Sequence, residues 1–189
     1  MGAVPKVSQQ YLDTRKQEIL DGARRAFSRW GYEGATVARL EEEIGISRGA
    51  IFNYFENKQD LFVELATAES RRYLELLVEQ GVDATIREMA GASSEWLGVL
   101  IEVESRLWHD PDFVHRMKAH ADAGGRDLLL DWFTARQEDG TFRNDIDAIE
   151  LARFVTMVLN GLALRVVTGD ETSIEPLLRL LHDALAPRQ

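Results

Sequence analysis

The sequence predicts an all-α protein. Apolar residues recur at helical spacing through almost the whole chain. Only four prolines interrupt 189 residues, and runs of Val, Ile and Thr alternating with polar residues are scarce. Apolar residues make up 45% of the chain, enough for a substantial core. No run reaches the roughly 20 apolar residues that cross a bilayer. The start, "MGAVPKVSQQYLDTRKQ", lacks the apolar centre of a signal peptide. There is no cysteine, which excludes disulfide and thiolate chemistry and fits a cytoplasmic location.

The elements follow in order. A first helix is expected from about Asp13 or Thr14 to Trp30, with Ile19, Leu20, Ala23, Ala26, Phe27 and Trp30 on one stripe. Gly31 is its expected left-handed cap. Thr36 reads as the N-cap of a short helix, Val37 to Ile44, and Ser47 as the N-cap of another, Arg48 to Phe55. Asn57 caps a long fourth helix carrying Leu61, Phe62, Leu65, Tyr73 and Leu77. Further helices are expected from about Ser94 to Trp108 and from the cap-plus-proline pair Asp110–Pro111 to about Glu138. "AGGRD" (123–127) is a candidate break in the latter. A strongly apolar helix spans about Ala148 to Val167, and a last one about Ile174 to Leu185.

Two short helices joined by a glycine turn match the helix-turn-helix unit. A helix of this kind fits the major groove of DNA, and its first side chains reach base edges. The formal net charge of −10 does not oppose this. Residues 1–58 hold nine Lys/Arg against eight Asp/Glu, whereas residues 59–189 hold thirteen against twenty-four. The expected organisation is a three-helix DNA-binding domain over residues 1–58 and a larger helical domain over 59–189. Ser47 and Arg48 open the second short helix, and Arg48 suits a bidentate pair with guanine. Gly49 leaves the approach open. Asn53 suits adenine or phosphate, and Thr36 and Lys58 suit phosphate. Ile51 and Phe55 are expected to face inward. "EEE" (Glu41 to Glu43) is awkward beside DNA and is expected on a solvated face turned away from it.

The stretch "GARRAFSRWGYEGATVARLEEEIGISRGAIFNYFENKQDLF" (Gly22 to Phe62) resembles the DNA-binding region of the TetR family of transcriptional regulators. The resemblance implies an all-α homodimer, usually a repressor released from its operator by a small molecule. By position it makes Thr36, Ser47, Arg48, Gly49, Asn53, Tyr54 and Lys58 the DNA contacts. Two residues depart from the pattern. Phe52 stands where many relatives have tyrosine, and Ala38 offers no polar base contact. "LWHDPDF" (107–113) and "GTFRNDI" (140–146) are also similar to the family's aconitase-repressor branch. That likeness implies a tricarboxylate among the candidate effectors.

A ligand is expected among the helices from about Ser94 to Arg165. Trp96, Trp108, Phe113 and Trp132 are the candidate walls, and Arg126, Arg136, Asn160 and Arg165 the candidate polar anchors. The last two helices are expected to pair with their counterparts in a second subunit through Leu151, Val155, Val158, Leu162, Leu177 and Leu181. A dimer suits an inverted-repeat operator in double-stranded DNA. His109, His115, His120 and His182 lack metal-ligand spacing, even with Asp110, Asp112 and Asp122, so no metal is expected. No nucleophile–base pair stands out either, so neither enzymatic activity nor a cofactor is expected. The alternative is a helical small-molecule-binding or interaction protein that no longer reads DNA.

Overall fold

A computed structural model describes residues 9–92, 94–120, 123–170 and 173–188. Among these the chain forms α1 (Gln9–Gly34), α2 (Val37–Ile44), α3 (Arg48–Ile51), α4 (Lys58–Gly91), α5 (Ser94–His109), α6 (Pro111–His120), α7 (Ala123–Glu138), α8 (Ala148–Val167) and α9 (Ile174–Leu185). The all-α reading holds among the described residues.

α1 starts before the expected residue and runs past Trp30. Gly31 breaks it rather than ending it. Its φ of 65° and ψ of 177° suit only a residue without a β-carbon, and one more helical turn follows. Ile19, Leu20, Ala23, Ala26 and Phe27 are buried along the expected stripe. Gly22 has a different task. A β-carbon there would lie 2.7 Å from Ile44 Cγ1 and 2.8 Å from Ile44 Cα, so the missing side chain lets α2 lie directly on α1.

α3 is shorter than the expected Arg48–Phe55. Regular helix stops at Ile51, and Phe52 is its C-cap. The Asn53 N–H still bonds Gly49 O at 3.1 Å, but the Tyr54 N–H turns to Ile51 O at 3.0 Å. That tighter turn swings Phe55 into the core, where it is 3% exposed.

α4 is bent back on itself at Gly81, whose φ is 86° and ψ 178°. Arg72 and Glu88 are sixteen residues apart, yet their side chains meet at 3.3 Å. A straight helix would hold them about 24 Å apart. The first arm therefore carries the chain out of the head, and the second returns along it.

Two cores result. The first gathers Ile19, Phe27, Leu40, Ile51, Phe55 and Phe62 with Trp96, Val99 and Phe113. It does not stop at residue 58, because α4, α5 and α6 all complete it. The second gathers Tyr73, Leu77, Ile86, Leu97, Phe133, Leu151, Val155, Leu162, Leu178, Leu181 and Leu185. The loop "GTFRNDI" closes this core. Arg143 is buried and forms a two-pronged pair with Asp145, both bonds 2.7 Å. Its N–H bonds Leu185 O at 2.8 Å, which ties the α7–α8 loop to the end of α9. The paired guanidinium holds the Asp145 carboxyl below the usual carboxylate range.

Candidate nucleic-acid interface

α2, α3 and α4 each begin with a side-chain cap, as the sequence predicts. Thr36 Oγ1 accepts from Arg39 N at 3.4 Å, and Ser47 Oγ from Ala50 N at 3.4 Å. Asn57 Oδ1 accepts from Asp60 N at 2.9 Å. Asp60 in turn accepts from the N–H of Glu56, the residue before the cap, at 3.1 Å, which helps to fix where α4 starts. The two hydroxyl caps are long, and both residues are exposed. Their oxygens are placed to meet a further donor or acceptor.

Arg48, Gly49 and Asn53 are exposed at α3 and the turn after it. Among the described residues the Arg48 guanidinium forms no ion pair. Its backbone N–H is already satisfied by Glu41 Oε1 at 2.5 Å. Glu43 is taken as well, by Arg25 at 3.5 Å and Arg29 at 3.4 Å. The solvated face expected for "EEE" is kept by Glu42 alone. The other two carboxylates brace α2 against α3 and α1, which uses up their charge locally. Tyr54 is half-buried and packs on the first core.

Lys58 has a partner within the chain as well as its expected phosphate role. Its Nζ donates to Tyr32 O at 2.6 Å and stands 4.3 Å from the Tyr32 ring centre. Burial pushes its ammonium below the ordinary lysine value, against the pull of Glu33. Tyr32 is a knot that sequence reasoning missed. Its N–H bonds Glu102 Oε2 at 2.8 Å, and Arg106 of α5 stacks 3.7 Å from its ring centre. Arg106 also pairs with Glu33 and, at 3.6 Å, with Asp110. The ring packs 4.7 Å from Phe62 and 6.0 Å from Phe27. The α1–α2 corner is thus held by α4 and α5 together. Its only sequence signal is position, directly after the breaking Gly31.

A second connection was equally hidden. Glu69 is an acid on the apolar stripe of α4 and is 8% exposed. It holds Arg24 of α1 at 3.5 Å and Arg72 at 3.3 Å, and Arg72 passes on to Glu88. A buried carboxylate needs such partners, because desolvation without them is costly. This chain of charges runs from the head, through α4, to the returning arm beyond Gly81.

The eight candidate ligand residues do not form one site. Trp96 is 2% exposed within the first core, under the Arg24 guanidinium at 4.8 Å. Phe113 is fully buried beside Phe62. Trp132 belongs to the second core and donates to Val78 O at 3.0 Å. Arg136 sits 5.3 Å from the Trp132 ring centre and pairs with Asp139. These last two line a cleft of about 330 Å³ at the Gly81 bend, together with Asp83, Phe142 and His182. Trp108 is 84% exposed. Asn160 is exposed, and Arg165 pairs with Asp170 outside any such cleft. The Arg126 side chain lies outside the described residues, as do those of His120 and Asp122. Among the described residues no three His, Asp or Glu side chains gather as a metal set.

The six candidate interface residues are placed inward. Leu151, Val155, Leu162 and Leu181 are 1–3% exposed, and Val158 and Leu177 pack half-buried on the same core. The apolar side chains that α8 and α9 turn outward are Phe154, Met157, Leu164 and Leu180.

Capped short helices presenting an exposed arginine, mounted on a helical body, define a helix-turn-helix DNA-binding regulator. A family model described as bacterial regulatory proteins of the tetR family matches residues 19–65. The chain is 36% identical to the HTH-type transcriptional repressor AcnR of Corynebacterium diphtheriae, over 98% of this chain and 99% of that one. It is 38% identical to the AcnR repressor of Corynebacterium jeikeium, over 89% and 90% respectively. A TetR transcription regulator from Haloarcula marismortui shares the fold with a TM-score of 0.71 at 22% identity, over 92% and 97%. The chain belongs to the TetR family of transcriptional regulators. That family consists of regulators, not enzymes. Among the described residues no helix is long and apolar enough to cross a membrane.

Proposed function

We propose that the chain is a homodimeric repressor of transcription that holds an inverted-repeat operator and changes its grip when a small molecule binds. The observation that carries DNA reading is the exposed Arg48, Gly49 and Asn53 at a short helix whose neighbours are capped around it. The corynebacterial relatives, both transcriptional repressors, support repression. Thr36 and Ser47 supply phosphate contacts beside them, and Tyr54 contributes from the following turn. The outward apolar side chains of α8 and α9 supply the dimer contact. Placed inside each protomer, Leu151, Val155, Leu162 and Leu181 support that face from behind.

The effector is proposed to act on the two connections between head and body. Moving α5 shifts the Tyr32 knot, and moving α4 shifts the Arg24–Glu69–Arg72 chain. Either changes the tilt of α3, provided that the effector binds one tilt more tightly than the other. Tricarboxylates, with and without Mg²⁺, are the first candidates.

Selection from random duplexes tests this reading. The expected outcome is an inverted repeat bound with a steep inverse dependence on salt. Arg48→Ala should then relax specificity at one position in each half-site. A thermal-shift panel of tricarboxylates should raise the midpoint for the effector alone, and that compound should alter operator retention. No enriched site would favour a helical ligand-binding protein that has ceased to read DNA.

A further inference from the structure

Phe52 is the one residue of the recognition segment that the polar reading of DNA leaves without a task. It closes α3 as its C-cap. One side of the ring packs, half-buried, on the first core. The other lines an open hollow of about 420 Å³ shared with Val37, Arg48, Gly49, Glu56, Asn57 and Lys58. The hollow lies where the starts of α2, α3 and α4 converge. Its floor is apolar, made by Phe52 and Val37. A β-carbon at Gly49 would meet nothing within 4 Å, so the hollow is open to solvent on that side.

The major groove offers almost only donors and acceptors. The exception is the C5-methyl group of thymine. A phenyl ring beside the arginine that reads a base edge can cover a methyl group at a gain. Covering a donor or acceptor there leaves it unsatisfied. A ring carrying a hydroxyl would have a polar alternative in the nearby phosphates, and Phe52 has none.

We propose that Phe52 is a specificity-determining residue that reads one thymine methyl group in each half-site, next to the base read by Arg48. The inference rests on the DNA-reading function proposed above.

The test uses the full-length protein and the operator recovered by selection. Each thymine is replaced in turn by deoxyuridine, which removes the methyl group and nothing else. One symmetry-related pair of thymines should respond. Burial of one methyl corresponds to about a fourfold change in affinity, and about tenfold or more for the pair. Phe52→Ala should abolish the difference between thymine and uracil at that pair. Phe52→Leu, which keeps an apolar side chain over the core, should retain part of it and guards against a loss of folding. If uracil is tolerated everywhere by the parent protein, the ring touches only the sugar or nothing, and the proposal is overturned. The same holds if Phe52→Ala weakens both operators while the methyl effect persists, since another side chain would then be the reader. Failure to select any operator is a different result, and it removes the DNA-reading function itself.

Discussion

Lys58 shows how one residue type satisfies two demands. A lysine at the start of α4 is well placed for a phosphate, and its position in the sequence says so. In the folded chain its ammonium is spent on the Tyr32 carbonyl, at 2.6 Å. A donor that ties the α1–α2 corner to α4 contributes stability even when no DNA is present. Replacing Lys58 by Met keeps the stem and removes the donor. A hydrogen bond to a charged group contributes about 1.5–3 kcal/mol, and the partial exposure of Lys58 scales this down. We expect a loss of about 1 kcal/mol, read as a midpoint lower by about 2–4 °C without DNA. Operator affinity should fall too, and evenly across sequences. An unchanged midpoint would confine Lys58 to the phosphates. Glu41 and Glu43 make the converse case. Their charge reads as hostile to DNA, yet one caps the Arg48 N–H and the other is held by two arginines.

Helices with long apolar stripes were legible almost to the residue. α8 and α9 begin and end where their periodicity does, since many buried leucines and valines agree on one face. α3 was not, because its last expected turn is drawn inward by Phe55 and loosened at Tyr54. The Gly81 bend was missed for a related reason. It sits in a run with helical composition, where a lone glycine is readily tolerated, and only the returning arm reveals the break. Nothing lies within 4 Å of a β-carbon built there, so the cost of a side chain comes from the backbone alone. Gly81→Ala should therefore destabilise the chain by about 1–3 kcal/mol through backbone strain. Thermal unfolding measures this directly, and a stabilised variant would show that the bend is not held by the rest of the fold. Because the bend lines the Trp132–Arg136 cleft, the same variant should also disturb any ligand bound in that cleft.

At the scale of the whole molecule, head and body share the first core, so they cannot be uncoupled at a linker. Phe113 of α6 and Phe62 of α4 meet in it. The proposed association of two copies belongs to this scale as well. Met157 and Leu180 are 64% and 67% exposed, so the fold of one protomer gains little from them. Met157→Glu combined with Leu180→Glu should leave the helical signal intact and yield a monomer in sedimentation. Loss of the paired half-sites should then lower operator affinity sharply. Val155→Ala should instead destabilise the fold by about 2 kcal/mol through the cavity it leaves, read as a lower thermal midpoint. A variant pair that stays dimeric would move the interface elsewhere.

The sequence by itself determined the helix class, the three caps of the head, the residues exposed along α3 and the family. Each rests on local rules: periodicity, capping geometry and short-range spacing. The tertiary structure decided which side of α8 and α9 faces outward, because a stripe apolar on more than one side does not state which part its own chain covers. It decided that Lys58 bonds a carbonyl and that Glu69 joins three segments, since Tyr32 lies 26 residues from Lys58 and Arg24 lies 45 residues from Glu69. It also placed Trp96 and Phe113 in one core, Trp132 against the other and Trp108 on the surface. Long-range pairing depends on how helices cross, and crossing is set by features such as the bare backbone at Gly22 and the reversal at Gly81, whose effect no single stretch of sequence contains.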